Sequence, residues 1–214
     1  MDVTSTRADG ILDRYRGCLL GVALGDALGA PYEFKTPPFE VAGDFRPGVF
    51  GTAPGHPTDD STLAVACAEA LLDAEADADA PGAFAAGYVR RLLAWAASGP
   101  PDIGNQTRVA VDAWQAGHPP APADAAQGNG SLMAVAPIGL RFAADAGAAR
   151  EAAAAFAHLT HPSAAAAECN MTYVGLLAAA LHGPGPGPAP APAVLAAPPG
   201  ADPAGPKMGW CRLT

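Results

Sequence analysis

Thr58-Asp59-Asp60-Ser61 places two neighbouring carboxylates between two hydroxyls, where the Gly55-His56-Pro57 loop meets the apolar run 62–72. Two chemistries suit this tetrapeptide. Thr58 can cap the first turn of a helix, and acidic residues there are favoured by the helix macrodipole. The same hydroxyl and carboxylate oxygens also suit a hard divalent cation such as Mg2+ or Mn2+. A second feature, Gly128-Asn129-Gly130-Ser131, leads into the segment 132–144. Glycines beside a helix start allow close backbone approach and expose free amides, a weak phosphate-binding signal. No strand precedes it, so it is not a dinucleotide fingerprint. A third is Thr160-His161-Pro162. Pro162 assigns His161 to a turn rather than to a helical face shared with His158.

The elements that must position these groups read as helices. Ile11, Leu12, Tyr15, Leu19 and Leu20 approximate an apolar stripe. Gly17, Gly21, Gly25 and Gly29 follow at four-residue spacing, which predicts a face that another backbone approaches closely. Asp26 lies within this apolar stretch and needs a hydrogen-bonding or coordinating partner. Pro31 ends the helix and Glu33 stands just beyond it. Residues 35–57 are rich in Pro and Gly and read as a long loop, the kind that is commonly functional. Further helices are expected after Asp59-Asp60, through Phe84–Trp95, from the Asp102–Thr107 segment through Trp114, and over 146–159 and 163–181. Residues 1–10 are expected to be frayed. Of the 24 residues from 183 to 206, nine are proline and five glycine, so 183–214 reads as an extended low-complexity tail.

Composition narrows the class. The chain of 214 residues is 50% apolar and 15% charged, dominated by alanine, which favours an all-α fold over 11–182 packed through small side chains. A net charge of −9 argues against a nucleic-acid partner, because phosphate neutralisation needs a basic surface. The run 17–31 is too short to span a bilayer and contains Asp26, so no membrane association is expected. Cys18, Cys67, Cys169 and Cys211 form no C-x-x-C and the N-terminus lacks a signal pattern, which sets the expectation of a reducing, cytoplasmic location.

In their order and spacing these segments resemble the ADP-ribosylglycohydrolase family. The motifs are Gly17–Gly21, Gly25-Asp26-Ala27-Leu28-Gly29 with Glu33, Thr58–Ser61, Asp102-Ile103-Gly104-Asn105, Gly128–Met133 and Leu159–Pro162. The resemblance implies a multi-helix bundle with two Mg2+ or Mn2+ ions at the floor of a cleft. It also implies hydrolysis of the N- or O-glycosidic bond joining ADP-ribose to a modified protein side chain or a small molecule. Thr58, Asp59 and Asp60 match one half of the metal ligands, and Glu33 a glutamate that contacts metal or handles the attacking water. Gly128, Asn129, Gly130 and Ser131 match the loop cradling diphosphate and ribose. His161 matches a cleft histidine, and Asp102 and Asn105 a loop near the ligand. Two departures stand out. Ala134 replaces an arginine usual after Leu-Met, and no glycine-rich segment with two further aspartates follows His182. The chain is therefore expected to be C-terminally truncated. The alternatives to an active enzyme are an ADP-ribose-binding remnant and a truncated product without function.

Overall fold

A computed structural model describes residues 3–35, 43–76 and 82–183, with side chains from residue 10 onward. The described residues fold into seven α-helices with no strand, as the alanine-rich composition predicts. The expected tail from 184 lies outside them.

Helix α1 (Val3–Gly29) passes into a single 3-10 turn at Ala30–Tyr32. It begins eight residues before the predicted start at Ile11, so residues 3–10 are helical rather than frayed. Helix α2 (Asp59–Ala76) buries Leu63, Ala66, Cys67 and Ala70, one apolar stripe at helical spacing. Helix α3 (Ala83–Ala97) lies against it. There a Cβ added to Gly87 would stand 3.5 Å from that of Ala70, so small residues set the approach of the two helices. Helix α4 is Asn105–Gln115. Helix α5 is only Ala136–Arg141, with Pro137 in its first turn, where a missing amide hydrogen costs nothing. Asp145 caps α6 (Ala146–Ala157) by accepting the Ala148 amide at 3.0 Å. Ser163 caps α7 (Ala164–His182) through the Ala166 amide at 3.2 Å. By length and mean hydropathy α7 could cross a bilayer, a composition the sequence reading attributed to no segment. Here it packs on α5 and α6.

The core gathers Leu63, Tyr88, Leu92, Val135, Ile138, Phe156 and Val174. Tyr88 and Phe156 meet edge to face at 4.7 Å, a favoured aromatic geometry. Cys67 is fully buried and its thiol is pushed far up by desolvation, which makes it an inert core residue.

Two expectations fail. Among the described residues the glycine seam of α1 meets nothing: added Cβ atoms at Gly17, Gly21, Gly25 and Gly29 would have no described neighbour within 4 Å. Leu20 and Leu24 beside them are more than half exposed. The close-packed central role therefore falls to α2, whose alanine stripe is buried. The segment 132–144 is not one helix either. Residues 130–134 form turns and α5 starts only at Ala136, because Pro137 is tolerated only within a first turn. The Gly128 loop thus does not present a helix N-terminus.

Candidate active site

Two carboxylates from elsewhere in the chain fix the beginning of α2. Asp26, near the end of α1, accepts hydrogen bonds from the Thr58 amide (2.8 Å), the Thr58 hydroxyl (2.5 Å), the Ser61 amide (3.0 Å) and the Ser61 hydroxyl (2.6 Å). Asp102, in the loop before α4, accepts the Asp59 amide at 3.2 Å through Oδ2. Helix starts leave amides without intrahelical partners. The usual solution is the N-cap side chain, and Thr58 was the expected provider. Instead Thr58 spends its hydroxyl on Asp26, whose charge also opposes the positive end of the macrodipole.

Around this junction lies a cavity of about 690 Å3, within the range of small-molecule sites. Asp26, Glu33, Asp59, Asp60 and Asp102 line it together with Asn105, Gly128, Asn129, Gly130 and His161. Nine of the eleven expected site residues, all but Thr58 and Ser131, are joined in space by this cavity.

Thr58 and Ser131 do not line the cavity. Both are buried behind its wall. The Thr58 hydroxyl is held by Asp26, and that of Ser131 lies 3.4 Å from Oδ1 of Asn170. Ala134, where the resemblance suggested arginine, is fully buried in the core. The cavity also includes residues not singled out from the sequence: Tyr32, Phe34, Gln106, Thr107 and Met133. Asp26 was expected to need a hydrogen-bonding or coordinating partner; it accepts four hydrogen bonds at the start of α2 and also lines the cavity. Its signal was present, a carboxylate inside an apolar run, but its partner 32 residues away was not.

The acids press on one another. Desolvation, then Asp60, Asp102 and Asp26, raise the Asp59 carboxyl to about 7. Desolvation, then Asp26 and Glu33, raise Asp60 to about 6. Glu33 is raised by burial and by Asp59, Asp102 and Asp26. Such crowding disfavours the charged forms and a cation would relieve it.

The part of the cavity that holds His161 is organised by the turn after α6. Trp114 Nε1 donates to the Leu159 carbonyl at 2.8 Å, and Gln106 Nε2 to that of Thr160 at 3.0 Å. These bonds tie α4 to the turn and seat His161, whose Nδ1 lies 2.9 Å from the Thr160 hydroxyl. Burial lowers the His161 imidazole to about 4, so it is neutral at pH 7. It can hydrogen-bond a ligand there but brings no positive charge. The glycines have a steric purpose. A Cβ on Gly128 would fall 2.9 Å from His161 Nε2, and one on Gly130 2.7 Å from His161 Cε1. Neither has room for a side chain while His161 keeps its place.

The donors suit a hard divalent cation. All are carboxylate oxygens, and Oδ1 of Asp102 is buried without a hydrogen-bond partner. Among the described residues, however, no three His, Cys, Asp or Glu side chains already surround one point.

The family model described as ADP-ribosylglycohydrolase matches residues 7–202. The ADP-ribosylarginine hydrolase Tri1 of Pseudomonas putida (strain GB-1) is 32% identical over 187 residues, covering 80% of this chain and 46% of its own. A solved structure titled ADP-ribosylglycohydrolase-related protein complex superposes with a TM-score of 0.66 at 31% identity, over 82% of this chain and 58% of that one. The chain thus spans about half the length of these relatives. By its matched residues and its helical architecture, the chain belongs to the ADP-ribosylglycohydrolase family.

Proposed function

We propose that the cavity takes the ADP-ribose unit of an ADP-ribosylated protein and supports hydrolysis of its glycosidic bond to an arginine side chain. The observation that carries this reading is the shared cavity: Glu33, Asp59, Asp60 and Asp102 line one space with Gly128, Gly130 and His161. The relative from Pseudomonas putida, named an ADP-ribosylarginine hydrolase, supports the arginine linkage over a serine or small-molecule linkage.

Cleavage of a ribosyl bond passes through an oxocarbenium-like state. It needs the ribose held still, the attacking water deprotonated and the leaving nitrogen protonated. Glu33 lines the cavity, and burial and then Asp59, Asp102 and Asp26 raise its pKa, which strengthens it as a base. The water gives Glu33 its proton as its oxygen bonds to the anomeric carbon. The bond to the guanidine nitrogen breaks with its electron pair going to nitrogen, and that nitrogen takes up the proton Glu33 acquired, restoring the carboxylate. His161, neutral, and the Gly128–Gly130 backbone orient the rest of the ligand. Asp59, Asp60 and the free Oδ1 of Asp102 are the groups that would hold Mg2+ or Mn2+. A cation bound there would fix ribose hydroxyls, polarise water and offset the repulsion between an acidic cavity and an anionic ligand.

Incubating the chain with an arginine-ADP-ribosylated protein and Mg2+ or Mn2+ tests the proposal. Release of ADP-ribose that a chelator stops and Glu33→Gln slows at least 100-fold supports it. A second reading, a non-catalytic ADP-ribose binder, is favoured by one observation: no trio of metal-ligating side chains is assembled among the described residues. Binding of ADP-ribose that survives the chelator, with no release, selects it. Absence of both binding and release removes both readings.

A further inference from the structure

Phe34 combines two unfavourable features at the rim of the cavity. It is the one described residue other than glycine with positive φ, at 59°. A bulky side chain in that region costs about 1 kcal/mol or more. Its ring is also 80% exposed, the most exposed large apolar side chain among those described. Neither feature serves the core. Phe50 meets the ring edge to face, with centroids 5.9 Å apart and planes at 85°, which restrains it. The turn beneath is closed by the Lys35 amide donating to the Tyr32 carbonyl at 3.1 Å. Phe34 lines the cavity together with Glu33 and Asp60.

An exposed aromatic face beside carboxylates has a definite chemical preference. A planar cation gains from the ring quadrupole and from the negative charge at once. An uncharged base would gain the stacking alone, and an alkyl hydroxyl neither. The same turn already carries such a pair, with Lys35 Nζ 5.1 Å from the centre of the Tyr32 ring.

We propose that Phe34 is a specificity-determining residue, a platform for the substituted guanidinium to which the ribose is joined. The inference rests on the proposed function and adds to it the group that selects an arginine linkage. Three ligands separate the two: ADP-ribose, an ADP-ribosylated arginine peptide and an ADP-ribosylated serine peptide, each with Mg2+. Discrimination is read as a ratio of kcat/KM where the bond is cleaved, and of Kd where it is not. The wild-type chain should prefer the arginine peptide. Phe34→Ala and Phe34→Asn should weaken it about tenfold, leaving the other two ligands within about twofold. Phe34→Trp should retain the preference. Asn tolerates positive φ, so Phe34→Asn should fold at least as well as wild type, which separates lost contact from lost structure. Equal loss on all three ligands, or no loss on any, overturns the role of Phe34 while ADP-ribose binding upholds the site. Failure of the wild type to bind or cleave any of the three overturns the site and the inference together.

Discussion

The Asp26 carboxylate lies 2.5 Å from the Thr58 hydroxyl and 2.8 Å from the Thr58 amide, so the end of α1 governs where α2 begins. Asp59 and Asp60 follow directly in the chain, and their placement in the cavity is inherited from this clasp. Asp26→Ala removes the acceptor for two amides and two hydroxyls. We expect a loss of about 3 kcal/mol, measured by urea unfolding, with activity lost as well. A change below about 0.5 kcal/mol would mean the clasp does not hold the junction.

The crowded acids give stability a definite pH dependence. Asp59 is raised in the folded chain to about 7 from an ordinary 3.8. The native state therefore holds its proton more tightly than the unfolded state, and stability falls as pH rises through this range. Asp59→Asn mimics the protonated form. In metal-free protein it should raise the melting temperature at pH 8, and the gain should shrink as pH falls through 7 and vanish only below the ordinary value of 3.8. His161 acts in the opposite sense: lowered to about 4, it withdraws stability as pH falls below 6.5. Comparing variant with wild type at each pH cancels that contribution. An Asp59→Asn gain that stays constant or grows as pH falls from 8 to 4 would contradict the assignment.

The Gly128 loop is tested sterically. Gly130→Ala sets a methyl group against His161 and within 3.0 Å of the Thr107 hydroxyl. ADP-ribose affinity should drop at least tenfold, because the imidazole must leave its seat. Gly175→Ala in α7, where a Cβ meets nothing, is the matched control and should leave affinity alone.

Much of this site was legible in the sequence, for identifiable reasons. The acids at 59 and 60 and the Gly128 loop are local signatures whose residue types carry their chemistry, whereas Glu33 was singled out only by the family resemblance. The helical fold followed from alanine content and apolar stripes such as Leu63, Cys67 and Ala70. What failed depended on long-range partners. Four-residue glycine spacing in α1 says that a backbone could approach, not that one does. Thr58 has the residue type of a cap or a ligand, and only folding shows that its hydroxyl turns to Asp26. Phe34 was invisible because an aromatic in a loop carries no period, and its conformation is set by the turn that holds it.

That glycine face yields its own test. Glycine within a helix costs roughly 0.5–1 kcal/mol relative to alanine. None of the described residues stands within 4 Å of an added Cβ at Gly17 or Gly21, so Gly17→Ala and Gly21→Ala should each stabilise this chain by about that amount in chemical denaturation. Destabilisation would show that the face is covered in solution.

The central claim is that the acids at the start of α2 and the glycine loop before α5 serve one ligand. Calorimetric titration with ADP-ribose and Mn2+ on wild type, Asp60→Asn and Gly130→Ala tests it most directly. The account predicts saturable binding to the wild type, weakened at least tenfold by either substitution although the two positions come from separate segments of the chain. Wild-type affinity retained by both variants, or the absence of wild-type binding, would contradict it.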